Sequence, residues 1–168
     1  SFLRCSSITV LKLPPTLHII KARGFAFCWS LRAIVPQRKH ELTSLKTIEE
    51  LAFWNCSKLT GISHLLVLVT IGPEAFDSCT SLTTVSHLPS LVTIRKLAFN
   101  DCISLTSISH LPSLKTIDSL AFCQCVSLTS ISHLPSLVTI GPGAFGYCRS
   151  LIEVKLGPSV TSAARNSF

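Results

Sequence analysis

Histidine and cysteine are the residue types here with the widest chemical reach, and both recur on a fixed interval. His64, His87, His110 and His133 stand 23 residues apart, each eight residues after a cysteine. The cysteines form a series of their own, Cys5, Cys28, Cys56, Cys79, Cys102, Cys125 and Cys148, with only Cys123 outside it. Imidazole and thiolate together bind zinc, but zinc sites need clustered spacings such as C-x2-C or H-x3-H. One thiol per 23 residues does not supply them, so neither a metal nor any other cofactor is expected. Unpaired cysteine behaves as a small buried hydrophobe, and an odd-numbered series argues against regular disulfide pairing. A column of free thiols favours an intracellular, reducing setting over the cell surface. The histidines allow two readings. Either Leu88, Leu111 and Leu134, one residue later, turn inward while the imidazoles swing to the edge, or the four imidazoles stack. Stacked at the ~4.8 Å spacing of paired strands, they could not all charge together. Their pKa values should then fall and spread, making the array pH-sensitive near pH 6.

Such columns need a backbone that repeats with them. Phenylalanine marks it, at Phe2, Phe25, Phe53, Phe76, Phe99, Phe122, Phe145 and Phe168, with every interval 23 except one of 28. Each cysteine of the series follows its phenylalanine by three residues. Leu59, Leu82, Leu105, Leu128 and Leu151 come three residues after the cysteines, and an Ile or Val three later still. The unit reads A-F-x-x-C-x-x-L-x-x-I-x-x-L-P-S-L-x-x-I-x-x-x, and its columns hold register through seven intervals. A 23-residue unit of this kind falls within the leucine-rich repeat range. With its A-F-x-x-C signature, clearest from Ala144-Phe145-Gly146-Tyr147-Cys148 to Pro158, the sequence resembles the BspA-like, or Treponema pallidum-type, leucine-rich repeat. The resemblance covers essentially the whole chain. It departs in the second unit, which carries about five extra residues near positions 35–40, and in the four units that place His where the family has an aliphatic residue.

The fold class expected is a mostly β repeat solenoid of about seven 23-residue coils with little helix, occupying residues 1–168 and cut in phase from a longer array. Stacked coils bury one continuous core that no single unit could form. Phe53, Phe76, Phe99, Phe122 and Phe145, with Cys56, Cys79, Cys102, Cys125 and Cys148, should be columns of that core. Leu105 to Ile108 should form a strand of the main sheet and Lys115 to Ile117 a second, shorter one, bent apart at Pro112. Outward sites carry Ser and Thr, as stacked neighbours of like charge would repel. These ladders read as solvated faces or as a weakly charged docking surface.

The composition agrees. Hydrophobic residues make up 47%, charged residues 14%, and mean hydropathy is +0.51, which excludes intrinsic disorder. The longest aliphatic run, Leu65 to Val69, falls far short of the ~20 residues that cross a bilayer. No membrane span is expected in this segment. With eight acidic residues that form no column, and no phosphate loop or nucleophile elbow, no enzymatic activity is expected.

Charge is uneven. Residues 1–60 carry a net +6 and residues 61–168 a net +1. Phe27, Trp29 and Trp54 sit among Arg32, Arg38, Lys39 and Lys46, around the insertion. Insertions in solenoids loop out on one face, and Trp and Arg favour interface hot spots. These seven residues are therefore the candidate partner-binding set, with a protein as the expected ligand and nucleic acid disfavoured for want of a recognised motif. The leading reading is a non-enzymatic interaction platform, either a scaffold or, as the resemblance implies, an adhesin. A structural spacer beside another domain, or a polyanion binder using the basic units, are the alternatives. Oligomeric state has no signature.

Overall fold

The computed structural model describes residues 2–37, 44–62 and 65–168. Each unit closes one coil, and consecutive coils pair through two parallel sheets. The first sheet takes β1 (Val10–Leu13), β3 (Ala33–Pro36), β6 (Thr84–Ser86), β8 (Ser107–Ser109), β10 (Ser130–Leu134) and β12 (Glu153–Leu156). Its third rung is a single bridging residue, Gly61, between Ala33 and Thr84. The second sheet holds seven strands in unbroken sequence order: β2 (Ile19–Ile20), β4 (Thr47–Ile48), β5 (Thr70–Ile71), β7 (Thr93–Ile94), β9 (Thr116–Ile117), β11 (Thr139–Ile140) and β13 (Ser162–Ala163). Registers such as Thr93 opposite Thr116 and Ile94 opposite Ile117 keep identical columns in contact. The strand expected near Leu105 to Ile108 falls at Ser107–Ser109, and the shorter one at Thr116–Ile117. No helix occurs among the described residues, and so none long and apolar enough to cross a membrane.

A third ladder runs along the A-F-x-x-C turn without forming strands. Phe53, Phe76, Phe99 and Phe122 each donate their amide to the carbonyl of the alanine preceding the next phenylalanine, at 2.8 Å. Left-handed residues two before and two after each ring bend the chain to allow this. Around Phe99 they are Leu97 (φ 58°) and Asp101 (φ 55°), and the pair recurs as Leu51 with Asn55, Glu74 with Ser78 and Leu120 with Gln124. Each non-glycine residue held there costs roughly 1–2 kcal/mol. Burial of the ring between them offsets that cost.

Inside the coil the phenylalanines form one column of eight rings from Phe2 to Phe168, with neighbouring centroids 5.1–5.5 Å apart and planes within 14°. Leu59, Leu82, Leu105 and Leu128, with Ile71, Ile94, Ile117 and Ile140, are fully buried beside them. The outer edge of the first sheet is also tied coil to coil. The Oγ1 hydroxyls of Thr83, Thr106 and Thr129 each donate to the backbone carbonyl of the threonine one coil earlier, at 3.0–3.2 Å.

The cysteine column has a role that hydrophobicity alone did not indicate. Cys56, Cys79, Cys102, Cys125 and Cys148 each donate Sγ–H to the carbonyl of the column phenylalanine in the preceding coil, at 3.2–3.3 Å. All eight cysteines are unpaired. Burial pushes the thiols upward, Cys56 to about 12 and Cys148 to about 11. Cys79 and Cys102, wholly enclosed, are raised well above the ordinary thiol value for the same reason. A thiol held protonated is a poor nucleophile and metal ligand.

Candidate functional site

Two surfaces depart from this regular pattern. The first lies on the A-F-x-x-C turn of the early coils. The position two residues after the column phenylalanine is polar in most coils, with Asn55, Ser78, Asp101 and Gln124, but the second coil places Phe27 there at φ 59°. The left-handed backbone there belongs to the repeat, and Tyr147 (φ 61°) is a second aromatic at the same offset; what sets Phe27 apart is its neighbours. Its ring meets Trp54 of the next coil at 4.6 Å between centroids and Trp29 edge-on at 6.0 Å. The Arg4 guanidinium, one coil earlier in the same column, lies 5.6 Å from the Phe27 centroid. Such a cation–π contact contributes about 0.5–1 kcal/mol when exposed. Trp29 remains 43% exposed, a large apolar side chain held in place yet open to solvent.

Of the sequence-selected set, Phe27, Trp29 and Trp54 therefore come together, and Arg4, which was not selected, completes the group. The offset could have revealed it, since Arg4 and Phe27 each follow a column phenylalanine by two residues. Arg32 and Lys46 are exposed but do not share this turn. Arg32 leads into β3 in the first sheet and Lys46 into β4 in the second. Arg38 and Lys39 lie outside the described residues, as does His64.

The second surface follows the bend between the two sheets. His87, His110 and His133 are exposed and stacked, with ring centroids 4.9 and 4.6 Å apart and planes within 9°. Inward leucines and stacked imidazoles thus occur together in the three described units. Leu88, Leu111 and Leu134 are buried as the inward residues, and the imidazoles still stack outside. What permits both is a left-handed backbone at each histidine, φ 55–56°, a region where histidine is several-fold enriched. At His133 this residue is the extra one of a bulge, the register against β12 slipping between Ile131 and Leu134. Gly157 accommodates the bulge, since a Cβ there would lie 2.8 Å from the Pro135 Cα.

Each imidazole places Nδ1 3.0 Å from the Oγ of the preceding serine, Ser86, Ser109 or Ser132. That fixes the rings and leaves Nε2 as the open polar atom. Among the described residues, no group of three or more His, Cys, Asp or Glu side chains is placed to hold a metal ion. Charging adjacent rings would cost about 1 kcal/mol in water and about 3.5 kcal/mol at an effective dielectric of 20. The row borders an open groove of about 590 Å³ whose other wall is the proline column Pro89, Pro112 and Pro135.

A family model described as the BspA type leucine-rich repeat region, in six copies, matches residues 1–60 and 46–168. The chain belongs to the BspA-type leucine-rich repeat family. It is similar to the T. pallidum leucine-rich repeat protein TpLRR, with 31% identity and a TM-score of 0.79 over 89% of this chain and 68% of that one. A leucine-rich repeat protein from Eubacterium ventriosum ATCC 27560 is 25% identical, with a TM-score of 0.82 over 94% of this chain and 42% of that one. Another from Bacteroides ovatus ATCC 8483 is 27% identical, with a TM-score of 0.76 over 95% and 40%. The chain thus spans less than half the length of the latter two. No curated protein matches it. Leucine-rich repeat folds of this family typically serve protein interaction or surface scaffolding.

Proposed function

We propose that the chain is a non-enzymatic protein-interaction platform whose partner docks on the turn surface of its first three coils. The observation that carries this is Phe27, held at φ 59° between the Arg4 guanidinium and Trp54, beside the exposed Trp29. Aromatic and arginine side chains gathered on one turn around an exposed tryptophan suit a docking surface, since Trp and Arg dominate interface hot spots. The net +6 of residues 1–60, Arg38 and Lys39 included, would favour a partner with an acidic rim.

The repeat itself supplies the test. Phe27→Asn and Trp29→Ser copy what the third coil carries at the same positions, Asn55 and Ser57, so the variant should fold. A partner retained by the parent chain should be lost from this double variant, and its retention at equal affinity would refute the proposal. Heparin or DNA binding with a steep salt slope, insensitive to the aromatic swap, would instead favour the polyanion reading. A chain with no saturable partner would favour the spacer.

A further inference from the structure

We infer that the groove between the histidine row and the proline column is a proton-gated site for an acidic segment of a protein partner. Its walls divide the work. Pro89, Pro112 and Pro135 line one side in register, with Leu66 and Leu156 at the ends, and offer carbon surface. His87, His110 and His133 offer a row of open Nε2 atoms on the other, at the coil spacing. No carboxylate is among the described lining residues. Lys155 is the permanent cation among the described lining residues, and Glu153, 2.6 Å from its ammonium, is its ion-pair partner.

Imidazole is the side chain whose ordinary charge change falls between pH 5 and 8. Held in parallel at 4.6–4.9 Å, the rings repel one another once charged, and no acid in the row relieves that. Carboxylates laid along the row would. Each proton then favours the anion and each anion favours the next proton, so protonation and binding are coupled and each promotes the other. With its imidazoles neutral, the same groove is an apolar channel with Lys155 as its cation, and an acidic segment gains little by entering. Aspartate side chains stay ionised at pH 5.5, so an acidic peptide presents the same charge to the groove at pH 5.5 and at pH 7.5. The inference does not use the Phe27 surface, and either reading stands if the other fails.

The probe is an aspartate decamer, titrated calorimetrically against the chain at pH 7.5 and 5.5. Its affinity should rise at least tenfold on acidification, and the heat at pH 6.5, compared between two buffers of different ionisation enthalpy, should report net proton uptake. The combined variant His87→Asn, His110→Asn and His133→Asn keeps a residue type suited to the left-handed backbone. It should lose the pH-dependent gain while retaining whatever pH-independent attraction the basic coils contribute. Unchanged wild-type affinity between the two pH values, or no proton uptake, would overturn the inference even if that variant misfolds. A gain that survives in the folded variant would overturn it as well. A pH-gated gain with heparin but none with the aspartate decamer would reassign the groove to polysaccharide.

Discussion

Cys102 donates its thiol hydrogen to the carbonyl of Phe76, one coil earlier, at 3.3 Å. The same carbonyl also accepts the amide of Cys79 at 3.1 Å. The cysteine column is therefore selected both for size and for a weak donor that an aliphatic residue lacks. Cys102→Ala should destabilise the chain by about 1–3 kcal/mol, the loss of a buried donor plus a small void. Cys148→Ala, at a half-buried position, should cost less. Both variants lose the same Sγ–H donor, so urea unfolding of the pair checks the order, and equal costs would count against burial as the source of the difference.

The raised thiols make a pH prediction of definite sign. A thiol whose pKa is higher folded than unfolded binds its proton more tightly in the native state. Its contribution is complete below the unfolded value near 9 and declines as pH climbs towards the folded value, about 12 for Cys56. Stability should be flat through pH 8 and fall from pH 9 upward. In native conditions at pH 8, the enclosed Cys79 and Cys102 should react with a thiol reagent orders of magnitude more slowly than in urea.

Two glycines should behave oppositely. At Gly141 a Cβ would sit 2.5 Å from the Ser119 amide nitrogen and 2.7 Å from the Asp118 carbonyl carbon. The backbone of the neighbouring coil cannot yield there, so Gly141→Ala should cost about 2–4 kcal/mol, within the large class that backbone strain produces. A Cβ on Gly61 meets nothing within 4 Å. Gly61→Ala should be neutral or gain about 0.4–1 kcal/mol by restricting the unfolded chain. Paired thermal melts decide between them.

Asp77 is raised above the ordinary carboxylate value, chiefly because it is partly buried, although Asn100 donates to its Oδ1 at 2.9 Å and Ser78 at 3.2 Å. The folded state therefore resists its charge at neutral pH, and that cost lessens as pH falls through the raised value. Asp77→Asn keeps an oxygen for Asn100 and Ser78 and removes the charge. It should raise the melting temperature at pH 7 by a degree or more, and the gain should shrink towards pH 4.

Most of the solenoid was legible because its core is chemical: Phe76, Cys79, Leu82 and Val85 name their columns by type and spacing. Backbone handedness was not. Leucine at 97 and 120 and Arg23 occupy left-handed sites that no propensity assigns to them, since the burial of neighbouring rings overrides local preference. The histidine column was visible as a period, but its placement was not, because one left-handed residue sends His110 outward and Leu111 inward together. Likewise the Phe27 cluster was legible in composition only. Arg32 and Lys46 are near it in sequence, yet the coil carries them into different sheets, while Arg4, a full turn away in sequence, stacks on the ring.

The registers in which residue i pairs only with its counterpart one coil on, such as Thr70 with Thr93 and Thr93 with Thr116, have a mechanical consequence. Among the described strands every contact joins neighbouring coils, so a chain pulled from its ends should unwind one turn at a time rather than rupture as a block. Each 23-residue turn, by the interval between column phenylalanines, would release about 76–83 Å of contour length at the extended-chain limit. The turn between Phe25 and Phe53, 28 residues long, would pay out about 92–101 Å. A force–extension trace would then be a sawtooth of nearly equal teeth with one wider tooth, and that tooth would mark where along the molecule the unravelling had reached.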